Sequence, residues 1–342
     1  MATDTKVKSW VHTVTPYPDT LKLADTTVPA LPAPHHILVK VKAASINPVD
    51  IQLMNLPLFN LPTQNGPKLL ARDFSGEVLA ISPEVKDFQK GEAVCGIIPD
   101  FAGKAGALTE VSYFDVRKTC VIRKPAHLSH AQAASLPLVF LTARTSIERV
   151  TDVMTRSPVS ANKLVVLGGS SSTGIYTIKL AKQRGWTVLA SCSHRNSDFV
   201  KGLGADEIVD YTTGANAVVD AVKAFKPDAI IDNVGGVETI GLGKHYVTIV
   251  GDKTSRSTMG GSALYYTYPR MMLRYYLGQW GFLPKYECII LETKKEWLEE
   301  VNALKEEDVI IDSTFPFERT PDAFERMNTG RCRGKVVIEL EK

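Results

Sequence analysis

The chain has 342 residues, 44% of them apolar and 23% charged, a length and core-forming content that predict two domains. Its net charge of +3 is too small for this length to argue for a nucleic-acid partner. Five widely spaced cysteines, an odd number, argue against a disulfide scaffold and predict a reducing, cytoplasmic setting, and no apolar run reaches the roughly 18 residues of a membrane span.

The opening residues MATDTKVKSWVHTV lack an apolar signal core, and residues 7 to 50 read as short strands between proline-rich turns. His35 to Ala43 alternates, with Ile37, Val39 and Val41 on one face and Leu38, Lys40 and Lys42 on the other, which predicts a strand with one wet side. Pro48 suits the first turn of a short helix. Leu56, Leu58, Phe59 and Leu61 stand in a loop-like stretch, where they either complete a core or line a ligand site. Asp73 to Ala80, Ala93 to Ile98 and Leu108 to Val111 are further strands. Many short strands and abundant turns predict an all-β unit, a partly open barrel, ending between 125 and 135.

From His130 to Val150 the pattern is helical, interrupted at Pro137. KLVVLGGSSSTG at 163 to 174 follows, a buried-strand run, a small-residue turn and a helix start. Strands at 187–192, 207–211, 229–232 and 245–250 alternate with helices at 197–203 and 216–225, which predicts a mostly parallel, doubly wound sheet. Val247 to Val250 is a candidate free edge for a homodimer. The aromatic stretch 263–283 reads as a helix and strand edge covering the core, or as a substrate or partner surface. A helix at 296–304, a strand at 314–317, a helix around Asp322 to Met327 and a strand at 334–338 finish the chain.

A strand, a tight turn and a helix start form a site for an anionic oxygen such as a dinucleotide pyrophosphate, here with Gly169, Ser170, Ser171, Ser172, Thr173 and Gly174. The second strand ends about 20 residues later, where an acid would read a free ribose 2′-hydroxyl. Ser191, Cys192 and Ser193 stand there instead, followed by His194 and Arg195, and hydroxyls with a guanidinium favour a 2′-phosphate. NADPH is therefore the expected cofactor, although Ser193 as a helix cap, Arg195 as a solvated charge and a nearby Asp198 fit a plainer reading. No closely spaced cysteine cluster exists for a structural zinc. His35, His36, Asp50, Asp73 and Cys95 lack a convincing spacing for a catalytic one, so no metal is expected. Reduction of an already polarised double bond needs no such electrophile.

SINPVD at 45–50, ARDFSGEV at 71–78, AASLPLVFLTA at 133–143, VVLGGSSSTG at 165–174, GADEIVDY at 204–211, IIDNVGG at 230–236 and GRCRGKVVI at 330–338 together resemble the medium-chain dehydrogenase/reductase superfamily. The likeness is to its zinc-independent quinone oxidoreductase and enoyl reductase branch. ASCSHRN and the hydroxyl-rich turn look similar to fungal members, including trans-acting enoyl reductases that serve polyketide synthases. The resemblance implies a GroES-like catalytic domain, 1–130 completed by 305–342, and a Rossmann NADPH-binding domain, 131–304. It implies Asn47 and Asp50 near the nicotinamide and Thr142 near its ribose. Ser193, Arg195 and Tyr211 are implied around the 2′-phosphate, with Asn233, Gly235, Arg333 and Lys335 also approaching the cofactor.

Two positions depart from the family pattern. Ser171 or Ser172 replaces a turn glycine, and Leu58 and Phe59 stand where enoyl-thioester reductases carry a tyrosine. The expected function is hydride transfer from NADPH to a quinone or to the activated C=C bond of an α,β-unsaturated carbonyl. Water supplies the proton, Asn47 orients the acceptor and Asp50 is structural. The open alternatives are a trans-acting enoyl reductase that meets a carrier protein and a noncatalytic NADPH-binding scaffold.

Overall fold

The computed structural model describes residues 4–13, 16–30, 32–55, 67–100, 104–155, 162–252, 265 and 268–340. Leu56, Leu58, Phe59 and Leu61 lie outside them. The described residues of Met1–Leu138 and Thr293–Lys342 form one compact unit, and those of Val139–Ser255 and Met259–Glu292 form a second.

The first unit begins with β1 (Thr5–His12), β2 (Lys22–Val28), β3 (His36–Ile46), the helix α1 (Pro48–Met54), β4 (Lys68–Leu69) and β5 (Asp73–Ile81). β6 (Ala93–Ile97), β7 (Val111–Asp115), β8 (Cys120–Arg123) and α2 (His130–Ala134) follow. Ile37, Val39 and Val41 turn inward and join Phe74, Phe114 and Phe324 in the core, as alternation in β3 requires. Lys40 is exposed, but Leu38 is not, because β1 and β2 cover it with Val7 and Val28. The wet side expected of this strand is therefore only partly wet. Register shifts at Leu38/Val39 and Val41/Ala43 between β3 and β5 curve the sheet.

Pro137 ends the α2 pattern and starts α3 (Pro137–Thr155), which leads into the second unit. There β9 (Lys163–Leu167), α4 (Ser172–Gln183), β10 (Thr187–Cys192), α5 (Ser197–Gly202), β11 (Glu207–Asp210), α6 (Ala217–Phe225), β12 (Ala229–Asp232), β13 (His245–Thr248), α7 (Pro269–Gln279) and β14 (Lys285–Cys288) build an all-parallel sheet. Its strand order is β11-β10-β9-β12-β13-β14, so the winding reverses between β9 and β12. The edge expected at Val247–Val250 is corrected: β13 is an inner strand, and β14 takes the edge.

The chain then returns to the first unit through α8 (Lys295–Glu299), β15 (Ile311–Pro316), α9 (Thr320–Asn328) and β16 (Lys335–Glu339). β16 pairs antiparallel with β3, Val337 opposite Ser45, and parallel with β15. A GroES-like β-sheet unit and a Rossmann-like parallel sheet are thus both present, as the sequence predicts.

Candidate functional site

In open parallel sheets, ligands meet the carboxyl ends of the strands where the winding reverses. Here those ends are the turn after β9 and the turn after β12. The first is pinned by β10: the Gly168 N–H donates to Ser191 Oγ at 2.9 Å, and the Gly169 N–H donates to the Ser191 carbonyl at 2.8 Å. Ser171 is the N-cap of α4, its Oγ accepting the Gly174 N–H at 3.0 Å. Glycine is required at 174, since a Cβ there would lie 2.2 Å from the Gly168 carbonyl oxygen. The helix starts at Ser172, two residues earlier than the apolar periodicity indicates, because a serine cap needs no apolar neighbour.

The second turn is organised by Asp232. One carboxylate oxygen accepts the N–H groups of Val234, Gly235 and Gly236 at 2.9, 2.7 and 3.1 Å, and the other accepts the Thr248 hydroxyl at 2.8 Å. Asn233 reaches back to β9, its Nδ2 donating to the Leu167 carbonyl at 3.2 Å. That leaves Asn233 Oδ1 buried with no hydrogen-bond partner among the described residues. A buried acceptor without a donor is costly, so this atom fits a ligand that carries an O–H or N–H group.

Beyond β10, Asn196 Nδ2 donates to Ser170 Oγ at 3.1 Å and lies 3.4 Å from Ser193 Oγ. Two hydroxyls and an amide are thereby gathered beside the turn, with Arg195 exposed next to them and Tyr211 55% exposed. Asp210, the nearby acid, is held by the Thr212 N–H and hydroxyl at 2.9 and 2.7 Å, which keeps its carboxyl below the usual range. Ser191, by contrast, is only 4% exposed and holds the turn. Thr142 is buried in α3, and Ser172 and Thr173 open α4.

The first unit holds a separate buried polar cluster. Asp50 closes the start of α1 by accepting the Asn47 N–H at 2.7 Å. Asn47 Nδ2 donates to Asp73 Oδ2 at 2.8 Å, and Lys335 on β16 donates to the Ile46 carbonyl at 2.9 Å, to Asp73 Oδ2 at 3.2 Å and to Asn47 Oδ1. Ser45 Oγ and the Leu138 N–H donate to the Asp73 carboxylate as well, at 3.2 and 2.9 Å. Burial pushes the Asp50 carboxyl up to about 6 against the pull of Arg72, 3.9 Å away, and burial lowers Lys335 against the pull of Asp73.

The structure joins Asn47, Asp50 and Lys335 through Asp73, weighed in the sequence only as a metal ligand, and Arg72, which the 71–78 motif contains without a role. Asn47 is 1% exposed with both ends of its amide engaged. Arg333 is exposed, and its backbone N–H donates to Asp312 Oδ1 at 2.8 Å. Asn196 and Asp232 were also missed. Asp232 had a signal, an acid ending a buried strand before Asn-Val-Gly-Gly, whereas Asn196 had none. Among the described residues no group of three His, Cys, Asp or Glu side chains could hold a metal ion.

Residues 33–125 match the "Alcohol dehydrogenase GroES-like domain" family and residues 203–338 the "Zinc-binding dehydrogenase" family. The mitochondrial NAD(P)H oxidoreductase RTN4IP1 of Homo sapiens is 33% identical over 349 residues, covering 92% of this chain and 84% of that protein. A chloroplastic quinone-oxidoreductase homolog of Spinacia oleracea is 27% identical over 94% of each chain. The quinone oxidoreductase from Coxiella burnetii superposes with a TM-score of 0.77 at 26% identity, over 98% of this chain and 100% of that one. The expected cytoplasmic setting is corrected by these relatives, which are described as mitochondrial or chloroplastic; cysteine usage reports only a reducing compartment and does not say which one. With the GroES-like and Rossmann-like units and these full-length likenesses in hand, the chain belongs to the medium-chain dehydrogenase/reductase superfamily, as an oxidoreductase of its quinone-oxidoreductase-like branch.

Proposed function

We propose that this protein is an NADPH-dependent reductase that transfers hydride to a quinone or to the activated C=C bond of an α,β-unsaturated carbonyl. The observation that carries the cofactor assignment is the Ser170–Asn196–Ser193 array, which lacks a carboxylate at the point where an NADH-selective site would use one. Bound there, the dinucleotide supplies a hydride at its nicotinamide ring.

The chain's own residues bind and orient. The dipole at the start of α4 favours the pyrophosphate, with Gly169, Ser171, Ser172 and Thr173 shaping the approach. Ser170, Ser193, Asn196, Arg195 and Tyr211 receive the 2′-phosphate, while Asn233 Oδ1 accepts a donor from the dinucleotide. Gly235 lies in the turn built on Asp232, and Thr142 serves the nicotinamide ribose. Asn47 acts as a positioning residue: Lys335 and Asp73 fix its amide, and Asp50 fixes its backbone. The acceptor oxygen is stabilised by hydrogen bonds, and water delivers the proton.

The test is NADPH oxidation by the purified, metal-free protein, followed by absorbance against quinones, enals and enoyl thioesters, with NADH alongside. NADPH-selective turnover of one class is the expected result. Equal use of NADH removes the phosphate assignment. Tight NADPH binding with no turnover favours a carrier-bound substrate or a noncatalytic scaffold instead.

A further inference from the structure

His12 ends β1 as a buried imidazole that the chemistry described so far does not use. It is 4% exposed, and its Nδ1 has no hydrogen-bond partner among the described residues. Alternation puts it on the face of β1 that carries Trp10, and Trp10 packs in one core with Ile51 and Met54 of α1. Tyr17, beyond β1, returns to the same helix, its N–H donating to Asn55 Oδ1 at 3.1 Å. His12 thus lies on the side of the first unit that α1 covers, and the start of α1 holds Asn47 and Asp50.

Strand register adds a cation. His12 stands directly opposite Lys68 of β4, and opposed side chains of an antiparallel pair share a face, with Cβ atoms about 4.5–5.5 Å apart. Lys68 is 7% exposed. Arg72 is buried too, but Asp50 at 3.9 Å and the Asp100 carbonyl at 3.2 Å engage it, so it contributes field to His12 and no bond. Burial, then Lys68, then Arg72 lower the His12 imidazolium to about 4 against the pull of the Thr13 backbone. The ring is therefore neutral near pH 7, with one nitrogen as donor and the other as acceptor.

A buried nitrogen without a partner is costly, so this site is complete only with a ligand group bonded to Nδ1. Beside an ammonium, that group is an oxygen that carries or gains negative charge, and such an oxygen selects the tautomer with its proton on Nδ1. The dinucleotide turn belongs to the second unit, so the oxygen in the first is the acceptor's. We infer that His12 Nδ1 donates to the carbonyl oxygen of the acceptor and, with Lys68 beside it, holds the charge which that oxygen gains during reduction. This rests on the reductase reading and names the donor it needs. Hydride brings one proton and two electrons to the acceptor carbon, and the displaced π pair charges the oxygen. Water supplies the proton that discharges it, so His12 changes neither its bonds nor its protonation.

The test titrates the full chain with 4-nitrophenol, whose phenolate mimics the charged oxygen and is read by its visible absorbance. The wild type is expected to bind the phenolate about tenfold or more tightly than the phenol. His12→Asn keeps an amide near the place of Nδ1 and should retain most of that preference. His12→Gln, which reaches toward the place of Nε2, and His12→Phe should lose it. With a quinone as acceptor, His12→Phe should lower kcat about a hundredfold, while the NADPH dissociation constant from fluorescence titration stays at the wild-type value. Should His12→Phe misfold, the contrast between His12→Asn and His12→Gln decides. A wild type that binds phenolate no more tightly than phenol leaves Nδ1 to a water and overturns the inference. Variants that match the wild type in both readouts overturn it as well, and so do losses in all three that simply follow their urea midpoints. A wild type that turns over no acceptor removes the reductase reading, and the phenolate titration alone then decides whether His12 holds an anionic oxygen.

Discussion

Lys335 spends its ammonium group on the Ile46 carbonyl, Asn47 Oδ1 and Asp73 Oδ2 while 3% exposed. Removing one member of a buried charged pair leaves the other charge uncompensated, a loss of about 3–5 kcal/mol. Lys335→Met is therefore expected to lower unfolding stability by about 3 kcal/mol, measured in urea. Adding Asp73→Asn should recover at least about 1 kcal/mol of that loss, as coupled neighbours do. Additive losses would show that the two side chains do not act as a pair. The same geometry sets the Lys335 ammonium against the Asn47 amide.

At the scale of elements, the start of α4 depends on one hydroxyl. Ser171→Ala removes the acceptor of the Gly174 N–H, a loss of about 1 kcal/mol in stability, and weakens dinucleotide binding by about tenfold or less if the cap shapes the anion site. Fluorescence titration with NADPH reads the second effect, and unchanged affinity would confine Ser171 to a structural role. The elements themselves were largely legible. Buried-strand runs such as Leu164–Leu167 and Ala229–Asp232 suit the interior of a parallel sheet, and glycine and proline mark their ends. What stayed hidden depends on contacts distant in sequence. The seating of α7 on β14, and hence the loss of a free edge at β13, needs Gly278 against the Pro284 backbone, which no periodicity encodes. The strand expected at Leu108 to Val111 lies at Val111–Asp115, because Ala107 and Leu108 instead bond back to the Leu70 carbonyl.

For the molecule as a whole, the buried cluster of the first unit ties stability to pH. Burial raises the Asp50 carboxyl from 3.8 to about 6 in the folded state, with Asp73 adding to the rise and Arg72 and Lys335 opposing it. Such a group binds its proton more tightly folded than unfolded, so its contribution is full below about pH 4 and is lost as pH rises through about 6. The wild type should thus lose stability relative to Asp50→Asn between about pH 4 and pH 6, with parallel urea curves above about pH 7. Identical profiles throughout would show that folding does not shift the Asp50 carboxyl. Motif reading found Asn47, Asp50 and Lys335 separately, yet their meeting depends on pairing Val336 with Ile46, residues far apart along the chain. That pairing also orders synthesis. The described strands from Lys163 to Cys288 build the parallel sheet in one order along the chain, whereas β3 gains its β16 neighbour only as residues 335–339 leave the ribosome. Until then the nascent first unit carries an open strand edge at Ala43–Ile46 and an unneutralised Asp73, so chaperone binding during translation should fall chiefly on the unit that begins first and closes last.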